Sequence, residues 1–255
     1  MTGGAAFLKK EFQEILSTYK IYVIPGILLF FGLLSPIFAK IAPDLFRSMA
    51  KGIEIKIPPP TSLDAWGQFF KNLSQTGILA VIFTSIGLVV EEKNRGTACL
   101  LMTKPIPRWS FVVSKFAASA VLIAASTVLA YFACLYYTIV IFKDALFTQS
   151  ILATILMLAY YLLILALTLF ASTVSRSLAL AGAVSAGGFI LLSVLPLLDP
   201  WLAKNSPGAI PSYLGKLVAA HPIPFSDTIP ALAGTIGLAA ALVAAAAMIF
   251  GRQEL

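Results

Sequence analysis

Residues 91–115 read EEKNRGTACLLMTKPIPRWSFVVSK. They interrupt two long apolar runs, 69–90 before and 110–142 after, with a cluster of charges. A chain that turns between two membrane crossings needs only a brief polar connection, and this one is long, charged and amphipathic. Its middle is predicted to form one short helix bounded by Gly96 and Pro105, because glycine and proline both stop helices. A surface of that kind suits a grip by another protein.

The rest of the chain supports two crossings and more. Of 255 residues, 59% are apolar and only 11% charged, against about 25% charged in a soluble domain. Too few polar residues remain to give core helices a wet face, so the bilayer is the expected solvent. A span needs about 20 apolar residues to cross roughly 30 Å of hydrocarbon. Hydropathy gives six spans, at about 21–39, 69–90, 110–142, 150–172, 178–198 and 229–250. The third run exceeds a bilayer, so its start, with Ser114 and Lys115, is expected to protrude into water. The whole is read as one all-α transmembrane domain, with no repeat and no second soluble domain.

Ahead of the first span, residues 5–20 follow a helical period. Leu8, Glu11, Phe12, Ile15, Leu16 and Tyr19 share one side; Lys9, Lys10, Gln13 and Glu14 share the other. Charges this dense are costly inside a membrane, so the segment is predicted to lie flat at the interface. It shows no secretory cleavage pattern. On the far side, residues 40–68 hold Pro58-Pro59-Pro60. Residues 199–228 hold five prolines around an apolar stretch, Tyr213 to Ala220, too short to span and read as re-entrant or interfacial. Small residues crowd the last two spans, among them Gly182, Gly187, Gly188, Gly234 and Gly237. They suit close helix approach, within one subunit or against a second copy.

An even number of spans puts both termini on one side. Ten of the 18 basic residues fall on that side, a small excess that favours cytoplasmic termini. The formal charge of +7 is scattered singly at span ends, unlike a nucleic-acid footprint.

Enzymatic readings find little support. No Gly-x-x-x-x-Gly-Lys-Ser/Thr loop is present, so any ATP must bind another polypeptide. Glu91-Glu92 followed by Arg95 is one residue short of the Glu-Glu-x-x-x-Arg pattern of intramembrane proteases. Those enzymes also need histidines on spans, and the sole histidine, His221, sits among prolines. One His and the distant Cys99 and Cys134 make no metal set. Ser and Thr in the spans (Thr84, Ser85, Ser119, Ser126, Thr127, Thr168, Ser185, Ser193) are expected to bond to helix backbone rather than attack substrates. The absence of a mid-span carboxylate counts against an ion-coupled carrier. Phe30, Phe31 and Thr84 are the candidates for lining a pathway, with lipid contact the plainer role for the two rings.

The loop carries a resemblance. Glu92, Arg95, Gly96-Thr97, Leu100-Leu101, Pro105 and Arg108 match, in order and spacing, the loop after the second span in permease subunits of ABC-2 type transporters. The chain departs at Ala98-Cys99, where that family more often has a Leu-Glu or similar pair. The resemblance implies a type V exporter-like architecture with cytoplasmic termini in a prokaryotic cell membrane. It implies a second permease copy or a paralogous permease, and two separate cytosolic ATPases that bind ATP and magnesium; this chain itself would hold no cofactor or metal. Residues 93–104 would be the coupling helix, with Glu92, Lys93, Arg95, Gly96, Thr97, Leu100, Leu101, Lys104 and Arg108 contacting the ATPase. The interfacial helix, with Lys9, Lys10, Phe12 and Glu14, would brace the same subunit. The cargo would be a hydrophobic or amphipathic drug, peptide or lipid-linked molecule. The competing reading is a stand-alone polytopic membrane protein, either a channel-like oligomer or an intramembrane enzyme.

Overall fold

The computed structural model describes residues 3–49, 59–96, 108–144 and 146–253, with the backbone alone for 3–6 and 46–49. Among these residues every regular element is helical, and six helical segments are long and apolar enough to cross a membrane. The fold is all-α and polytopic.

Helix α1 (Gly3–Ser17) buries Phe7, Glu11 and Ile15, a stripe at intervals of four, against the start of the third span. Thr18 closes it by donating to Glu14 O at 2.7 Å. The first span then begins at once with α2 (Lys20–Met49), which carries Pro25, Pro36 and Pro43 within it. Proline is tolerated in a membrane helix where neighbours satisfy the freed backbone.

The second span (Ser62–Asn94) is built of pieces. Helix α3 (Ser62–Asn72) starts at Thr61, whose N–H and hydroxyl both donate to the Asp64 carboxylate, at 2.8 and 2.9 Å. A π-helical turn, Leu73–Gly77, follows. Its widened backbone is met by Tyr161, whose hydroxyl donates to Leu73 O at 3.0 Å. Gly77 makes room for that hydroxyl; a Cβ there would collide with it. Helix α4 (Ile78–Ser85) continues to a break at 86–89, after which α5 (Val90–Asn94) ends the span.

The third span is α6 (Arg108–Phe142), roughly 50 Å long at 1.5 Å per residue. Lys143 and Leu146, both at positive φ, precede α7 (Phe147–Val174), whose most apolar stretch is more than half buried. Its Leu156, Met157, Tyr160, Tyr161, Leu163, Ile164 and Leu165 are fully buried. Helix α8 (Leu178–Leu198) is capped by the Ser177 hydroxyl, which accepts from Leu180 N–H. Short helices α9 (Pro200–Asn205) and α10 (Ile210–Leu217) fold back against the bundle before α11 (Ile229–Arg252) crosses again.

Helix α2 lies along α6, and α11 lies against α7 and α6. Gly32 lets α2 approach the Ala130 carbonyl of α6. An aromatic group of Trp66, Phe69, Phe70 and Tyr131 joins α3 to α6, with the Trp66 and Tyr131 rings stacked at 5.4 Å. The span hydroxyls behave as expected: Thr84, Ser126, Thr127, Thr168, Ser185 and Ser193 each donate to the carbonyl four residues back.

Two expectations are corrected. The first helix runs past Lys40 to Met49, and the second begins at Ser62 rather than near 69, so the connection between them is shorter than 40–68. Hydropathy misses both ends because polar residues extend the helices beyond the apolar core. Ser114 and Lys115 do not protrude into water: both are buried, because α1 and α5 cover the start of α6. Of the small residues of α8, Ala181 and Ser185 are buried and Gly188 lies against Leu167, whereas a Cβ at Gly182 or Gly187 would meet nothing within 4 Å.

Candidate functional site

The charged residues of α1, α5 and α6 converge at the end of the bundle that carries the termini. The break before α5 is what aims them. At that break the Ser172 hydroxyl of α7 donates to Ile86 O at 2.7 Å and accepts from the N–H groups of Val89 and Val90 at 3.0 and 3.1 Å. A single side chain thus satisfies three backbone groups that the interrupted helix leaves open. Helix α5 restarts at the angle this allows and turns Glu92 inward.

Lys115 is the centre. Its ammonium donates to Glu92 Oε1 at 2.7 Å and to Glu11 Oε2 at 3.0 Å, with its side chain 1% and that of Glu11 4% exposed. Lys10 joins the same carboxylates, at 3.0 Å to Glu92 Oε1 and 3.1 Å to Glu11 Oε1, and pairs with Glu14 at 2.6 Å. Phe111 lies beneath: its ring faces the Lys115 ammonium at 5.0 Å, stacks on Phe250 of α11 at 4.8 Å and meets Phe7 edge-on. Three carboxylates and two ammonium groups therefore tie α1, α5 and α6 together over an aromatic floor.

The electrostatics fit this geometry. Burial raises the Glu14 carboxyl, but the Lys10 hydrogen bond and the charges of Lys115, Lys10 and Lys20 outweigh it and hold Glu14 below the ordinary carboxylate range. Burial also works against the Lys10 charge; Glu14, Glu11 and Glu92 outweigh it and raise Lys10 above the ordinary lysine range. The carboxylates of Glu11, Glu14 and Glu92 lie close enough to share a metal, yet the two ammonium groups already bridge them. The cluster has the chemistry of a brace.

A second set of contacts lies beside it. Lys93 Nζ donates to Thr173 O at the end of α7, at 2.7 Å, and to Gln253 Oε1 at 3.4 Å. Gln253 Nε2 donates to the same Thr173 carbonyl. Arg108, the first residue of α6, donates to Gln253 O at 2.9 Å and Gly251 O at 3.4 Å. Cations on the last carbonyls of α7 and α11 also suit the negative ends of those helices.

Of the residues predicted to meet a partner, Glu92, Lys93 and Arg108 thus bond within the chain. Arg95 is exposed, 3.9 Å from Glu91. Gly96 closes α5 with φ +70, so residues 93–96 end one helix rather than begin the predicted 93–104 helix. Thr97, Leu100, Leu101 and Lys104 lie outside the described residues. In α1, Lys10 and Glu14 enter the cluster, Phe12 is half-buried and Lys9 is exposed. Of the pathway candidates, Phe30 is exposed, Phe31 half-buried against it, and the Thr84 hydroxyl is taken up by its own helix. Sequence reading missed Glu11 and Lys115. Glu11 shares a side of α1 with its apolar residues, and its position on that stripe is the available signal.

Comparison with known proteins agrees with this architecture. The chain is 26% identical over 208 residues to the uncharacterized transmembrane protein YxlG of Bacillus subtilis (strain 168), covering 80% of this chain and 81% of that protein. The model of the ABC-2 family transporter proteins matches residues 6–222, from α1 through the second folded-back helix. With that match spanning most of its length, the chain belongs to the ABC-2 transporter family and is a multi-pass membrane transport component.

Proposed function

We propose that this chain is the permease subunit of an ATP-driven exporter, working with two separate cytosolic ATPase subunits and with a second permease copy or a paralogue. Its termini face the cytoplasm of a prokaryotic cell, and its cargo is hydrophobic or amphipathic. ATP and magnesium act on the partner; this chain contributes the pathway and the docking loop.

One observation carries the reading. The connection between the second and third spans leaves and returns at two braced points. On the outgoing side Glu92 and Lys93 fix α5 to α1, α6, α7 and Gln253. On the returning side Arg108 fixes α6 to the end of α11. A force on residues 97–107 would therefore reach several spans and α1 at once, through contacts already made. Transport needs a ligand that binds two arrangements differently, and a loop braced at both ends is a fitting place for an ATPase to impose them. Leu100 and Leu101 would supply the apolar centre of the docking surface, with Arg95 and Lys104 at its rim.

Leu101→Asp tests this. The variant should reach the membrane and keep its fold, yet lose the co-purified ATPase or its cargo-stimulated turnover; Lys104→Ala should be milder. Normal co-purification and stimulated turnover with Leu101→Asp would remove the docking assignment. The mass of the purified complex checks the pairing, because one permease copy with full transport would exclude a dimer.

A further inference from the structure

The opposite end of the bundle holds a cleft of about 460 Å³ between the π-helical turn, α8 and the folded-back helices. Lys71, Ser74 and Gln75 line one side; Phe189 and Ser193 of α8 and Leu214 of α10 line the others. About 20 residues separate Lys71 from Glu91, roughly 30 Å along a helix, which is the hydrocarbon thickness. Lys71 therefore lies toward the end of the second span opposite Glu91, with Ile78 about two turns further along that span.

Two glycines open the space. Gly67 and Gly215 both line the cleft, both have ordinary helical backbone, and a Cβ on either would meet nothing within 4 Å. The donors are few. Ser74, Ser193 and Ser212 give their protons to Phe70 O, Phe189 O and Ala209 O. Lys71 has no carboxylate partner among the described residues, and Gln75 stands one turn further along the same helix face.

We propose that this cleft binds an amphiphile with one singly charged anionic head and one apolar tail. The head sits against Lys71 and the Gln75 amide at the interface, and the tail runs inward past Phe189 and Leu214. One ammonium and one amide match a single negative charge. The volume lies in the lower part of the usual small-molecule range and suits one chain rather than an enclosed two-tailed lipid. This deepens the permease reading by giving the cargo a chemical class, and it rests on that reading only in calling the ligand cargo.

The test uses the full-length purified protein without ATPase or nucleotide, so its outcome is separate from that of Leu101→Asp. A photoactivatable palmitate is cross-linked and the labelled peptides are mapped. Label should fall on residues 67–78 or 189–215. Lys71→Gln should cut the yield roughly tenfold, as loss of a hydrogen bond to a charged group implies, while Lys71→Arg keeps it. Gly215→Leu and Gly67→Leu should abolish labelling with the unfolding midpoint unchanged. Should the glycine variants fail to fold, the exposed Lys71 pair still decides. Equal labelling by the palmitate methyl ester, or no response to Lys71→Gln, would overturn the proposal, since a lysine that merely snorkels toward headgroups needs no ligand. Labelling by a phosphatidylglycerol probe in vesicles but not by palmitate would overturn it in favour of a bulk-lipid contact.

Discussion

The two ends of the bundle are held together by different physics. At the terminal end, Lys10, Glu11, Glu14, Glu92 and Lys115 form one ionic cluster among three helices, and Lys93, Arg108 and Gln253 extend the bracing to two more. At the opposite end, contact comes from close backbone approach and caps. Gly208 packs against the Leu192 carbonyl with no room for a Cβ, Asp199 caps α9 through Trp201 N–H at 2.7 Å, and the π-turn is held by one tyrosine hydroxyl. Charged groups in a dry site resist partial separation, because each one stranded is costly. Apolar surfaces beside a cleft can slide and refill. The braced end suits transmission of force, and the other end suits a change of shape around a ligand.

The comparison breaks most sharply at Lys115. Lys115→Met removes the central cation from the buried Glu11 and Glu92 carboxylates. Losing one member of a buried ionic group costs about 3–5 kcal/mol. The expected outcome is a large fall in the unfolding midpoint in detergent, with α1 the first segment to become protease-sensitive. Adding Glu11→Gln to Lys115→Met should recover part of the loss. A midpoint unchanged by Lys115→Met would mean that the cluster is wet and weak.

At the other end the test is Gly77→Ala. The new methyl group would meet the Tyr161 hydroxyl, and overpacking of this kind costs about 1–3 kcal/mol. Tyr161→Phe alone leaves the Leu73 carbonyl without that donor, at a cost of about 1–3 kcal/mol. The two share one contact, so they should not add. Once the hydroxyl is gone, Gly77→Ala should cost little more. Strict additivity in thermal melts would show that the tyrosine does not hold the π-turn.

Most of the architecture was legible in the sequence because lipid imposes a simple rule: about 20 apolar residues per crossing. What was hidden is what hydropathy does not see. The early start of the second span depends on the Thr61–Asp64 cap, a local polar signal ahead of the apolar window. The π-turn depends on a tyrosine 88 positions further along the chain. The ionic cluster was present as residues, but Glu11, Glu92 and Lys115 lie far apart in sequence, and their joining required the break that Ser172 stabilises. Gly96 as a helix stop was readable, because glycine accepts the positive φ found there.

Acid should loosen the braced end before the other. Glu14 is held below its ordinary value of 4.5. Its contribution is therefore complete above that value and is lost as pH falls through the lower folded-state pKa. Lys10 is shifted upward, so its contribution is complete below the ordinary lysine pKa and is lost only in strong alkali. Between those limits α1 should stay docked. Hydrogen exchange of residues 7–17 should rise below about pH 4 while the Leu73–Gly77 turn stays protected. Glu14→Gln should flatten that response, and only modestly, because Glu14 is partly exposed. Equal acid sensitivity at both ends would remove the distinction between them.

The smallest effect is expected at Arg95, the C-cap of the five-residue helix that carries Glu92. Its guanidinium lies 3.9 Å from Glu91, with side-chain exposures of 75% and 41%. Exposed pairs of this kind contribute about 0.2–1 kcal/mol at most, and often nothing measurable. Arg95→Ala should leave the unfolding midpoint within error of the parent, whereas Lys115→Met lowers it strongly. The contrast separates two roles within α5. Glu92 faces inward and joins the ionic cluster; Arg95 is exposed at the end of α5, beside Glu91. If Arg95→Ala weakens ATPase co-purification without moving the melt, docking and bracing are distinct functions of neighbouring residues. If the melt falls as far as it does with Lys115→Met, Arg95 belongs to the brace, and the outward face of α5 is not available for docking.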